Sequence, residues 1–391
     1  MNKPTVYLDH GASTPVLPAV LEAMRPFWSD QYGNPSSHHK VGRQANQALE
    51  EARRTVADLL QAQPHEIIFT GCGSESNNLA LRGVMLAARA AGRGNHFITS
   101  AVEHSAILQT AAQLVDLMGF EVTVLPVDGY GRVSLADLEA AIRPETMLIS
   151  IMAASNEVGT LQPIEAIGQL ARQRGILFHT DAIQSATTTR WHMAKQPIDL
   201  MSLAPHKFYG PKGIGILYVR DGVALVPSLT GGGHENGRRA GTANVAFAVG
   251  AATALDTCLR HQADHIAHYQ TLRDRLIDGL LAAFPDDCIL TGHPSQRAPH
   301  NASFAFRDLN GNDLLIHLDM AGIAASSGSA CKSGNPKPSA ILQAMGLDDA
   351  WTKGGLRLTV GLQNTEDEID YVLATMPGII ERLNKINLLL T

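Results

Sequence analysis

The chain has 391 residues, 45% hydrophobic and 17% charged, with 37 acidic against 31 basic residues and a formal net charge of -6. That length predicts two domains rather than one. The acidic balance, with no dense Lys/Arg stripe, argues against direct nucleic-acid binding, and no stretch has the length and apolarity of a membrane span.

The opening Met1-Asn2-Lys3-Pro4-Thr5-Val6-Tyr7 lacks an apolar signal core, so the cytoplasm is the expected compartment. Residues 44–60 place Ala45, Leu49, Ala52, Val56 and Leu59 on one stripe with charges opposite, which predicts an amphipathic helix. Short apolar segments at 66–70, 96–100, 121–125, 147–152, 176–180 and 214–219 read as strands, with helical patterns between several of them. That is the signature of a mostly parallel α/β sheet covered on both sides. Beyond about residue 255 longer helices take over, including 272–284, followed by a few strands and a closing helix from Glu366 that Pro377 is expected to kink or shorten. The change predicts a second, smaller domain. Cys72, Cys258, Cys288 and Cys331 are irregularly spaced, with no CxxC pair and no nearby histidine, so they are expected as reduced thiols without a resident metal.

Ligands bind such sheets beyond the carboxyl ends of the strands. After the first strand comes Gly71-Cys72-Gly73-Ser74-Glu75-Ser76-Asn77, which is either a phosphate-binding turn with free N–H groups or a plain glycine turn with a Ser N-cap. His104, Asn156, and Asp181 with Gln184 follow later strands. A carboxylate ending an apolar strand, as Asp181 does, needs hydrogen bonds or a cation, and a protonated pyridine nitrogen is such a cation. Lys207 sits in Ala204-Pro205-His206-Lys207-Phe208-Tyr209-Gly210-Pro211-Lys212-Gly213. It is a solvated lysine or one placed to form a Schiff base, and the order phosphate turn, Asp, Lys suits pyridoxal phosphate. Finally, Ser326-Ser327-Gly328-Ser329-Ala330-Cys331-Lys332-Ser333-Gly334-Asn335-Pro336-Lys337-Pro338-Ser339 predicts an irregular loop. A thiol there is a surface cysteine in a variable loop or one presented to a substrate for sulfur handling.

Taken together, His104, Asn156-Glu157, Asp181-Ala182-Ile183-Gln184-Ser185, the Lys207 segment, Gly231-Gly232-Gly233-His234-Glu235, Arg239-Ala240-Gly241-Thr242 and the Cys331 segment resemble a cysteine desulfurase of the class V aminotransferase family. Tyr7-Leu8-Asp9 and Gly33-Asn34-Pro35-Ser36-Ser37 fit that family's amino-terminal pattern, so the resemblance spans nearly the whole chain. The long Cys331 segment resembles group I, which serves iron-sulfur cluster assembly and thiolation.

The resemblance implies a homodimeric, fold-type I pyridoxal-phosphate enzyme. Its large domain, 16–255, would carry a mostly parallel mixed sheet, and 1–15 with 256–391 would form a smaller α+β domain bearing the Cys331 loop. By family motif, Lys207 should hold the cofactor, Asp181 its ring nitrogen and Gln184 its phenolic oxygen. His104 should stack on the ring, with proton transfer as a second role. Gly73, Ser74 and His206 should hold the phosphate, joined by Thr242 from a second subunit. Asn156 should lie beside the cofactor and, with Arg357, bind the substrate carboxylate; an internal salt bridge is the other reading of Arg357. Cys331 should take the sulfur of L-cysteine as a persulfide, releasing L-alanine, and pass it to an acceptor protein such as an iron-sulfur scaffold, with transient ligation of a cluster as a further role. Ala204 stands where many relatives have Ser, which predicts weaker cofactor binding. Cys72 departs from the usual small residue, as a tolerated side chain or an oxidation-sensitive thiol. A selenocysteine lyase, a cysteine C–S lyase and a partner-activated sulfur-delivery protein remain the other readings.

Overall fold

The computed structural model describes residues 5–327 and 338–390, so Cys331 and most of its predicted loop lie outside the described residues. Seven strands, β2 (Ile67–Thr70), β3 (His96–Ser100), β4 (Glu121–Leu125), β5 (Thr146–Ser150), β6 (Leu177–Asp181), β7 (Leu200–Leu203) and β8 (Gly215–Val219), form one sheet in the order β2-β8-β7-β6-β5-β3-β4. Neighbours from β7 to β4 are parallel, whereas β8 runs antiparallel to both β7 and β2. The sheet is buried on both faces because successive residues of its strands feed different cores. Leu148, Leu200 and Leu217 pack with Ile68 and Phe97 on one side, and Ile149, Met201 and Tyr218 with Phe178 on the other.

Strand β7 is absent from the sequence-based expectation. It has only four residues. In the fold Asp199 accepts from the Phe178 N–H of β6 at 2.9 Å and pairs with Arg220 after β8 at 3.1 Å, so the carboxylate ties the start of β7 to both of its neighbours. The predicted helix at 44–60 begins earlier, at Lys40, because the His39 imidazole caps the Gly42 N–H at 3.2 Å.

A second core gathers Val6 and Leu8 from the amino terminus with Leu272, Phe304, Leu356, Leu358, Ile369 and Met376 from the last third of the chain. Here β1 (Val6–Tyr7) pairs in parallel with β11 (Ile323–Ala324), and β12 (Gly355–Thr359), β10 (Asn301–Phe306) and β9 (Cys288–Leu290) form an antiparallel sheet. The helix expected at 272–284 runs from Gln262 to Ala283. The closing helix, Glu366–Leu390, is not shortened by Pro377. Its apolar stripe of Ile369, Val372, Met376, Ile379, Ile380 and Leu383 is buried on both sides of the proline, so packing outweighs the lost N–H donor. No helix among the described residues is long and apolar enough to cross a membrane.

Candidate active site

The carboxyl ends of five strands converge on one cavity of about 400 Å³. The turn after β2 brings Gly73 and Ser74, the segments after β3 and β5 bring His104 and Asn156, the end of β6 brings Asp181 and Gln184, and the turn after β7 brings Ala204, His206 and Lys207. Arg357 of β12 and Ser326 close the opposite wall, so the second core contributes as well. Thr242 is exposed and does not line this cavity.

Asp181 is buried to 5% exposure and accepts two hydrogen bonds, from the Ile183 N–H at 3.0 Å and from Asn77 Nδ2 at 2.7 Å. Burial nonetheless raises its carboxyl above the ordinary range, against those bonds and against the charges of His104 and Lys207. A cation set against the carboxylate would offset that burial. Asn77 escaped the sequence reading as a functional residue. The available signal was its place one helical turn past the glycine turn, on the side facing the β6 end.

Lys207 Nζ donates to the carbonyls of Gly11 at 2.5 Å and Ala12 at 2.8 Å. Burial and then the Arg357 guanidinium bring its ammonium down to about 8, while Asp9 and Asp181 act in the opposite direction. His206 is lowered to about 4 by burial and by the Lys207 and Lys212 charges. Burial also lowers His104, which Asp181 opposes and Lys207 reinforces. A neutral imidazole at each position leaves Lys207 as the basic amine nearest the cavity floor.

The phosphate-type turn is capped by Cys72, not by a serine: its Sγ accepts from the Glu75 N–H at 3.4 Å at the start of the helix Gly73–Ala90. A Cβ on Gly73 would lie 2.5 Å from Ile183 Cδ1 and 3.0 Å from the Ala204 methyl, so only glycine leaves the backbone N–H groups open there. Glu75 also accepts from the Gly71 N–H at 2.6 Å and pairs with Arg239 at 2.8 Å, which ties the Arg239-Ala240-Gly241-Thr242 motif to this turn. Cys72 is exposed, whereas burial pushes Cys258 and Cys288 up to about 12 and makes them inert packing thiols.

Arg357 is 7% exposed. It does form an internal ion pair, with Asp9 at 2.8 Å, and its Nη1 donates to the Asn156 carbonyl at 2.8 Å. Among the described residues, its Nε and the buried Asn156 Oδ1 have no hydrogen-bond partner. Two unpaired polar atoms beside one cavity suit a polar ligand with both a carboxylate and an amine. The Tyr7-Leu8-Asp9 segment thus has a role its sequence did not reveal, holding Arg357 from the far end of the chain.

These groups fit pyridoxal phosphate. A carboxylate whose charge burial opposes suits a protonated pyridine nitrogen, an open helix N-terminus suits a phosphate, and a buried lysine of lowered basicity suits an aldehyde. Among the described residues no group of three or more His, Cys, Asp or Glu is arranged to hold a metal ion.

Residues 6–372 match the family described as aminotransferase class-V. The chain is 45% identical over 382 residues to a cysteine desulfurase IscS of Methanosarcina thermophila, an alignment covering 98% of this chain and 93% of that one. Among solved structures, a NifS-like protein superposes with a TM-score of 0.90 at 36% identity, covering 97% of this chain and 100% of the other. A structure described as SspA in complex with cysteine superposes with a TM-score of 0.78 at 34% identity, covering 93% and 100%. The mostly parallel seven-stranded sheet, the convergence of Lys207, Asp181 and Arg357 on one cavity, and these full-length similarities agree: the chain belongs to the class-V aminotransferase family, among its cysteine desulfurases.

Proposed function

We propose that the enzyme converts L-cysteine to L-alanine and carries the removed sulfur on Cys331 as a persulfide for transfer to an acceptor protein, in iron-sulfur cluster assembly or thiolation. The observation that carries the reading is the shared cavity of Lys207, Asp181 and Arg357. Bound pyridoxal phosphate supplies an electron sink that makes the Cα–H and Cβ–S bonds of an amino acid labile.

The chain's own residues do the rest. Lys207 Nζ holds the cofactor and moves the proton at the substrate Cα. Asp181 keeps the ring nitrogen protonated by supplying the buried negative charge, held in place by Asn77. Gln184 meets the phenolic oxygen, and His104 covers the ring. Gly73, Ser74 and His206 surround the phosphate, in a turn where Ala204 offers no hydroxyl. Arg357 orients the substrate carboxylate through its unpaired Nε, and Asn156 lies beside it with an unpaired Oδ1 free to accept from the substrate amine. The Cys331 thiolate attacks the substrate sulfur: an S–S bond forms, the Cβ–S bond breaks with its electron pair left on carbon, and a proton on that carbon completes alanine. No external oxidant is required.

Further parts of the reading are a homodimer in which Thr242 completes the partner's phosphate site, a division into 16–255 and 1–15 with 256–391, and a cytoplasmic location. The exposure of Thr242, away from this chain's own cavity, supports the first. The two hydrophobic cores, one drawing in Val6 and Leu8, support the second.

The test is Cys331→Ser in the purified holoenzyme. Sustained alanine formation from L-cysteine is expected to vanish while the visible cofactor absorption and a borohydride-fixed mass tag on Lys207 persist. Undiminished turnover would remove the persulfide step.

A further inference from the structure

His300 stands immediately before β10, in the second core, yet its ring reaches the main sheet. Its Nε2 lies 3.4 Å from Gln184 Oε1, the long end of a hydrogen bond, while Gln184 Nε2 donates to the Gly11 carbonyl at 2.9 Å. The ring is held by its neighbours: Tyr269 packs nearly edge-on with centroids 6.3 Å apart, and the His300 carbonyl accepts from the Val360 N–H at 3.0 Å. Gln184, His300 and Lys207 line one small cavity of about 30 Å³, and Gln184 lines the main cavity as well.

We propose that His300 is a positioning residue that holds the Gln184 amide in the orientation that turns an N–H toward the cofactor. This rests on the reading of Gln184 as the partner of the cofactor's phenolic oxygen. The Gly11 carbonyl can only accept, so the amide NH₂ must face it, and the amide oxygen must then face His300, which has to carry its proton on Nε2. Burial, reinforced by His10, Arg357, Lys207 and Arg273, lowers His300 to about 3, so one N–H is all the ring carries near neutral pH. A flipped amide would set carbonyl against carbonyl at Gly11, and His300 would keep its contact only by moving its proton to Nδ1. The Gly11 carbonyl selects the orientation and the His300 N–H holds its oxygen end, so the second N–H of Gln184 Nε2 is left for the phenolic oxygen.

The experiment is a pH titration of the visible absorption of the bound cofactor in holoenzyme. A donor on the phenolic oxygen weakens its hold on the neighbouring proton, so loss of the donor raises the midpoint. Gln184→Met and His300→Leu are each expected to raise it by about half a unit to one unit, the size of one hydrogen bond. The double variant should shift no further than Gln184→Met, and His300→Gln, which restores a donor at similar reach, should return the midpoint toward that of the unaltered enzyme. Should His300→Leu not fold, His300→Asn, polar but too short to reach Gln184, replaces it and is expected to behave alike. A shift in Gln184→Met with none at position 300 overturns the inference alone. No shift in Gln184→Met overturns the reading of Gln184 and the inference with it.

Discussion

The chemistry of Lys207 follows from where its amine is placed. Only the neutral amine attacks an aldehyde, and burial beside Arg357 brings the ammonium to about 8, against an ordinary lysine near ~10.4. The neutral fraction rises as pH rises through the pKa. Capture of pyridoxal phosphate by cofactor-free protein is therefore expected to reach half its maximal rate near pH 8, followed by stopped-flow absorbance; a midpoint above 10 counts against a desolvated Lys207. Neither Gly11 nor Ala12 is chemically notable, yet their carbonyls hold the Lys207 amine. Their role was illegible in the sequence because backbone groups carry no residue signature.

The element that distinguishes this chain is the glycine turn opening the helix Gly73–Ala90, packed against the turn after β7. Gly73 is tight against Ala204, since a Cβ added at position 73 would lie 3.0 Å from the Ala204 methyl, so the side chain at position 204 borders the bare N–H groups. A hydroxyl added there can reach an anion in the turn. Ala204→Ser is expected to tighten pyridoxal phosphate by about tenfold, the size of one hydrogen bond to a charged group, read by equilibrium dialysis. Unchanged affinity would show that the hydroxyl cannot enter the turn. The glycine turn was visible in the sequence through Gly71 and Gly73, with a Ser N-cap as one reading of it; the chain path puts Cys72, a weak acceptor, in the capping position instead.

Across the whole molecule, the sheet buries neutral imidazoles. His179 lies between Ser150 Oγ at 2.8 Å and Ser202 Oγ at 3.0 Å, and burial lowers it to about 3. Its folded pKa is below its unfolded value of ~6.5, so its contribution is complete above pH 6.5 and is lost as pH falls toward 3. His10 and His206, both lowered to about 4, act with the same sign. Glu103, raised to about 8 by burial, acts oppositely: its contribution is complete below about pH 4.5 and lost as pH rises to 8. The urea midpoint is expected to fall between pH 6.5 and 5, by up to about 1.4 kcal/mol of stability per pH unit from His179 alone. His179→Gln should flatten that dependence. Identical slopes in the two proteins would show that His179 does not stay neutral in the fold.

What the sequence determined by itself was local. Six of the seven strands, the glycine turn and the positions of Asp181 and Lys207 were readable because apolar runs, turn residues and strand ends are written in consecutive residues. The family resemblance then assigned roles to positions that spacing alone left open. Only the tertiary structure decided the contacts between distant segments: Asp9 on Arg357, Asn77 on Asp181, His300 beside Gln184, and the short β7 in the middle of the sheet. Each depends on a chain crossing that no local pattern encodes, because the free energy comes from burying polar partners together and not from the propensity of either residue.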